Sequence, residues 1–472
     1  MQSSAVAVEL AEVQAFTRDV PTRMPFRFGS VTMTELSVVY LRVRFSTADG
    51  REAEGVSSSV LSPMWFDKSP SLDYQAKRSR LLIGVSLAAE AYLEAGCASA
   101  YDLHCAAQPE VTRSCALRGI PALPSSFGAA LLDSAVVDGL CRLMGLTLHQ
   151  GLEHDLLGFG VVPGLPAQPR SQVYVRHTVG LADPLVASDV DTPLADGLPE
   201  TLEEVVDAYG VRYFKVKVSA DTGQNLQRLR KIQGVLSDRA DPSCRVVFDG
   251  NESYADMAAF AEFFEAFRGD AQLADLYRRT LWFEQPVERD ASLDDAVAQD
   301  LHAVSAHRPV ILDESDGTDD AVERGLELGY GGVSAKNCKG IFRTLHSFRV
   351  LQEWKQRSGH PGILAAEDLT HPGLRALQQD TAVIAALGIE HAERNGHHYV
   401  RGLNFLTPRE QEVALCEFPR LYERTPEGLL RLAIRDGAIE TGDLCAKAYG
   451  SPPEFDFGDL SPLVLPDPGA RD

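Results

Sequence analysis

YFKVKV (213–218), RVVFDGN (245–251), LWFEQP (281–286), VILDES (310–315) and VSAK (333–336) are five short apolar runs, and each carries charge at or near its end. Asp249, Glu284, Asp313 and Lys336 lie between 23 and 35 residues apart, room for one helix and two short loops per step. Parallel strands need a crossover of that kind. The intervening segments carry helical periodicity: Leu226, Leu229, Ile232, Val235 and Leu236 after the first run, Phe260, Phe263, Phe264 and Phe267 after the second. Strand and helix in alternation predict a parallel α/β barrel, in which chemistry gathers at the carboxyl ends of several strands.

Outward from this centre, VYVRHTVGL (173–181) supplies a first strand, and GILAAED (362–368) and GIEHAERN (388–395) supply a seventh and eighth, so the count closes at eight. The barrel is expected over residues 172–408, after a Gly- and Pro-rich linker at 157–171. Residues 1–150 read as an α+β domain. It holds a hairpin turning at Asp49-Gly50 within 23–60, a helix capped by Ser71 or Asp73 and running to Ala95, and a second helix over 126–146. The tail, 409–472, is expected to return to that first domain, its GLLRLAIRDG segment (428–437) included.

A net charge of −22 argues against nucleic acid or an anionic membrane as partner. No apolar run reaches the roughly 18 residues of a membrane span, and the first residues lack the pattern of a secretory signal, so a cytoplasmic protein is expected. Eight cysteines without a C-x-x-C pair read as reduced and mostly buried.

Lys215 and Lys217 point the same way on a strand, and inward lysines need carboxylates to meet them. Asp249, Glu284 and Asp313 are oxygen donors suited to Mg²⁺, or Mn²⁺. Any one of them alone could merely cap a helix; three on consecutive strands argue for convergence. A cation there would acidify the α-proton of a bound carboxylate, Lys217 would serve as base with Lys215 tuning it, and Lys336 would face the other side of the same carbon.

This set resembles the enolase superfamily, the mandelate racemase/muconate-lactonising family, and within it the muconate-lactonising branch. K-V-K (215–217), D-G-N (249–251), E-Q-P (284–286), D-E-S (313–315) and Lys336 carry the likeness in the barrel; P-F-R-F-G (25–29), A-E-G-V (53–56) and A-x-x-D (Ala135, Asp138) carry it in a capping domain. The resemblance implies Asp249, Glu284 and Asp313 as metal ligands, Lys217 and Lys336 as the acid/base pair, and supporting roles for Asn251, Glu314 and Glu393. It implies a small carboxylate substrate and an assembly of identical chains. It leaves open racemisation or epimerisation, cycloisomerisation, or syn-dehydration as in succinylbenzoate synthase and acid-sugar dehydratases. A silent barrel acting as a binding protein is the competing class.

Asn337-Cys338-Lys339-Gly340 departs from the glycine pair usual after the sixth-strand lysine. His371 reads as a residue preceding a helix, and Glu390 and His391 stay without a role. Met64, Trp65 and Phe66 fit either an apolar substrate group or packing on the barrel rim.

Overall fold

The computed structural model describes residues 5–29, 31–452 and 455–469. Three antiparallel strands open the chain, Ala7–Phe28, Val31–Thr47 and Glu52–Leu61. The first starts well before the hairpin read from the sequence. Against them pack the helices Tyr74–Glu94, Ala100–Ala116 and Ala122–Met144. Asp73 caps the first of these by accepting from the Ala76 amide.

The A-E-G-V and A-x-x-D motifs meet here. A Cβ on Gly55 would lie 1.8 Å from the Ala135 carbonyl oxygen, so only glycine lets the third strand approach the helix so closely. Asp138 accepts from the Val56 amide at 2.9 Å and pairs with Arg375 at 3.3 Å, tying strand, helix and barrel together.

The barrel strands are Gln172–Val179, Tyr213–Lys217, Arg245–Asp249, Thr280–Glu284, Val310–Leu312, Gly332–Lys336, Ile363–Glu367 and His391–Glu393. Every ladder among them is parallel; it runs from the seventh strand back to the first, and the eighth joins the first through His391↔Tyr174 and Glu393↔Arg176, with no ladder between the seventh and eighth among the described residues. Alternation along each strand gives the interior two layers. The lower holds Arg176, Lys215, Val247, Trp282, Ile311 and Ala365; one step up come Thr178, Lys217, Asp249, Glu284, Asp313 and Glu367. Four of the lower residues, Val247, Trp282, Ile311 and Ala365, form a small apolar plug of their own. The outward residues, among them Phe214, Val216, Phe248 and Phe283, join the barrel helices in a separate core.

The tail differs from expectation in its first half. Tyr422–Arg424 and Leu430–Leu432 form a hairpin in the barrel's outer core, and Ala438–Glu440 adds antiparallel to the first barrel strand. Leu430, Leu432 and Ile434 find their apolar partners there. Later residues reach the first domain: Phe455 meets Tyr40, Phe457 meets Phe16, and Ser461–Pro462 pairs with the opening strand. Of the eight free cysteines four are buried, and Cys97, Cys105 and Cys416 are exposed. Among the described residues no helix is long and apolar enough to cross a membrane.

Candidate active site

Strand register assembles the site. Lys217 stands opposite Asp249, Asp249 opposite Glu284, and Lys336 opposite Glu367. Lys217 Nζ lies 2.6 Å from Asp249 Oδ2, and Lys336 Nζ lies 2.5 Å from Asp313 Oδ2 and 3.1 Å from Glu367 Oε2. The strand-five end is fixed by the glutamine of E-Q-P. Gln285 Oε1 accepts from the amides of Asp313 and Ser315 at 2.8 and 3.2 Å, so the two motifs are one piece of structure.

Lys215 is caged. Its Nζ lies 2.8 Å from Asp249, 2.8 Å from Glu284, 2.6 Å from Glu367 and 2.8 Å from Glu393. Burial works against its charge, but these four carboxylates outweigh burial and hold the ammonium well above the ordinary lysine value. Lys336 is likewise held up by Asp313 and Glu367 against its burial.

Glu393, expected in a supporting role, bonds Lys215 through Oε2 and accepts from Thr178 and Asn395 through Oε1. Glu314 accepts from Trp65 Nε1 at 3.0 Å and from Asn251 Nδ2 at 3.2 Å. Burial, then Asp313, Glu252 and Asp249, push its carboxyl up to about 8. Trp65 and Phe66 are buried, and Arg289 donates to both their carbonyls. The turn packs on the rim, and Trp65, its ring 4.4 Å from Lys336 Nζ, also faces the cavity.

Lys217, Lys336, Asn251, Glu367 and Glu393 line one small cavity, roofed by Phe26, Phe28 and Trp65 of the first domain. Three participants escaped the sequence reading. Glu367 ends the seventh run, GILAAED, just as Glu284 ends the fourth, and that signal was available. Arg176, completely buried, reaches Glu367 at 3.1 Å. Lys339, within the N-C-K-G departure, turns inward to the carbonyls of Asp313 and Ser334 at 2.9 and 2.8 Å and to the carboxylates of Asp313 and Asp316.

The tightest carboxylate group is Asp249, Glu284 and Glu367, whose ligand atoms lie within 4.8 Å of one another. Asp313 stands beside it, drawn toward Lys336 and Lys339. Glu367 Oε2 lies 3.1 Å from Lys336 Nζ and Asp313 Oδ1 lies 3.3 Å from Lys339 Nζ, whereas Glu284 Oε2 is buried and accepts no hydrogen bond. Buried oxygens left in this way are costly unless something else engages them. The donors are hard, acidic and close together, which fits a divalent cation of the Mg²⁺ kind.

No family model matches the chain, and no curated protein matches it in sequence. Solved structures do match. A dipeptide epimerase from Cytophaga hutchinsonii, complexed with Mg and the dipeptide D-Ala-L-Val, aligns with a TM-score of 0.58 at 15% identity over 93% of this chain and 98% of its own. A muconate lactonizing enzyme from Pseudomonas fluorescens, complexed with muconolactone, gives 0.56 at 16% over 93% and 94%. An enolase from Bradyrhizobium, complexed with magnesium and mandelic acid, gives 0.57 at 16% over 92% and 93%. The chain has the fold of the mandelate racemase/muconate lactonizing proteins: a modified barrel with an amino-terminal α+β layer.

Proposed function

We propose that this protein is an enzyme of the enolase superfamily that abstracts the α-proton of a small carboxylate with the help of Mg²⁺ and returns a proton to the same carbon, as a racemase or epimerase. One observation carries this reading: Lys217 and Lys336, from strands half a barrel apart, line the same roofed cavity beside the strand-end carboxylates.

The ligands are assigned to Asp249, Glu284 and Asp313 by asking which carboxylates the site can release. Glu367 answers three cations, Lys215, Lys336 and the buried Arg176, which cannot lose its proton. Asp313 is different. If it turns away, Lys336 keeps Glu367 and Lys339 keeps Asp316 at 3.2 Å. Lys215 can give up Asp249 and Glu284 and keep Glu367 and Glu393.

A bound divalent cation would stabilise the negative charge that develops on the substrate carboxylate as the α-proton leaves. The lysines divide the remaining work. Among the described residues Lys217 has Asp249 as its one carboxylate partner, so engagement of Asp249 as a ligand leaves Lys217 without a counter-ion. That suits it to take the proton. Lys336 retains Glu367, holds its own proton and presents it from the opposite side; in the reverse direction the two exchange tasks. The buried roof of Phe26, Phe28 and Trp65 keeps bulk water from the carbanion-like carbon.

Incubation with a panel of carboxylic acids in D₂O, with Mg²⁺ present, tests the reading by nuclear magnetic resonance. It expects deuterium at the α-carbon of at least one acid. Complete absence of exchange across hydroxy acids, amino acid derivatives and dipeptides would remove it.

A further inference from the structure

Adjoining the catalytic cavity, which Asp368 also lines, is a second group of ligand-type side chains that the proposed reaction does not use. Asp368 follows the seventh strand, His371 sits in the next loop, and Asp380 lies on the helix Arg375–Ala386. One ligand atom from each lies within 4.8 Å of the others, and all three residues are buried.

His371 carries the argument. The residue is 2% exposed, and neither ring nitrogen has a hydrogen-bond partner. A buried imidazole in that condition is costly unless something else meets its nitrogens. Burial, then Arg394, lower its pKa to about 3, so the ring is neutral and keeps a lone pair for a ligand. The loop goes to some expense to place it. Asp368 Oδ1 accepts the amides of Thr370 and His371, and Thr370, a β-branched residue, is held at φ 62°.

Charge points the same way. Arg394 is the guanidinium within this group, 3.2 Å from Asp368 and 2.9 Å from Asp380. Two carboxylates share this one guanidinium, the reverse of Glu367, where one carboxylate answers three cations.

We infer that Asp368, His371 and Asp380 form a second cation site, selective for a divalent transition ion such as Zn²⁺ over Mg²⁺. An imidazole with two carboxylates suits zinc or its neighbours, whereas the catalytic carboxylates, all oxygen, suit Mg²⁺. An ion here fastens the seventh-strand loop to the helix behind it. Asp380 also takes a hydrogen bond from the Asn337 backbone, so the same ion steadies the chain next to Lys336.

The test uses the full chain, stripped of metal by chelation and dialysed against Co²⁺ or Zn²⁺ with Mg²⁺ in large excess to occupy the oxygen site. One equivalent of Zn²⁺ per chain is expected, and Co²⁺ should give visible d–d absorption. Both should be lost in His371→Gln and in Asp380→Asn and kept in Glu284→Gln. Thermal melting checks folding, and in the wild type Zn²⁺ should raise Tm in the presence of Mg²⁺. No bound equivalent in the wild type, or binding that survives in folded His371→Gln, overturns the inference. Because Glu284→Gln spares this site, its failure and that of the proposed reaction are separable.

Discussion

Asp313→Asn and Glu367→Gln should do opposite things, and the contrast tests how charge is arranged in the barrel. Glu367 is completely buried, 2.6 Å from Lys215, 3.1 Å from Lys336 and 3.1 Å from Arg176. Its neutralisation strands the guanidinium of Arg176, which has no other carboxylate partner among the described residues, so folding stability should fall by about 3–5 kcal/mol. Mg²⁺ affinity should change by less than about tenfold, because Asp249, Glu284 and Asp313 remain. Asp313→Asn leaves each of its lysines one carboxylate, so its stability cost should be smaller. Loss of a ligand should weaken Mg²⁺ by about 100-fold or more, near 2.8 kcal/mol, since even outer-shell partners cost 10–100-fold. Calorimetric titration of chelator-treated protein reads the Mg²⁺ affinity and thermal melting the stability. If Glu367→Gln abolishes Mg²⁺ binding while Asp313→Asn binds normally, the cation belongs to the tightest cluster, Asp249, Glu284 and Glu367, and the release argument fails.

Lys217→Ala and Lys336→Ala should each stop turnover with Mg²⁺ binding intact, and each should retain α-exchange in D₂O for one enantiomer only, the opposite one in the two variants; normal turnover in Lys336→Ala would refute the pair. His397 is partly buried, and burial brings its pKa down to about 4 from 6.5, so below pH 6.5 the unfolded chain binds a proton that the folded one does not. Stability from this group is therefore full above pH 6.5 and lost as pH falls toward 4, at up to about 1.4 kcal/mol per pH unit, and the stability difference between wild type and His397→Gln should carry that slope in denaturant titrations across the window. A pH-independent difference would contradict it. Gly55→Ala should destabilise by about 1–3 kcal/mol or more, because its Cβ meets the Ala135 carbonyl at 1.8 Å; an unchanged urea midpoint would show that strand and helix separate freely.

What the sequence made legible follows from the parity of the strands. K-V-K, D-G-N, E-Q-P and D-E-S were readable because each places charge at the mouth after an apolar run, and a two-residue period turns that charge inward. Short-range signals of this kind need no knowledge of partners. Arg176 is harder, because in VYVRHTVGL an arginine amid β-formers reads equally well as an exposed edge. Its meaning depends on Glu367, 191 positions away, which only closure of the first strand onto the eighth brings near. The same holds for the tail: 428–437 is surplus to eight strands and by sequence reads as part of the first domain, whereas its apolar residues cover the barrel's own outer core. His391 completes the case. It lies flat against Trp282 at 5.5 Å and accepts from Arg176 at 2.9 Å, so it belongs to the lower layer that holds Arg176 in place rather than to the chemistry above. The site thus rests on an interior whose charges were visible one by one, and the pairing that decides which carboxylates a cation can take exists only once the barrel is closed.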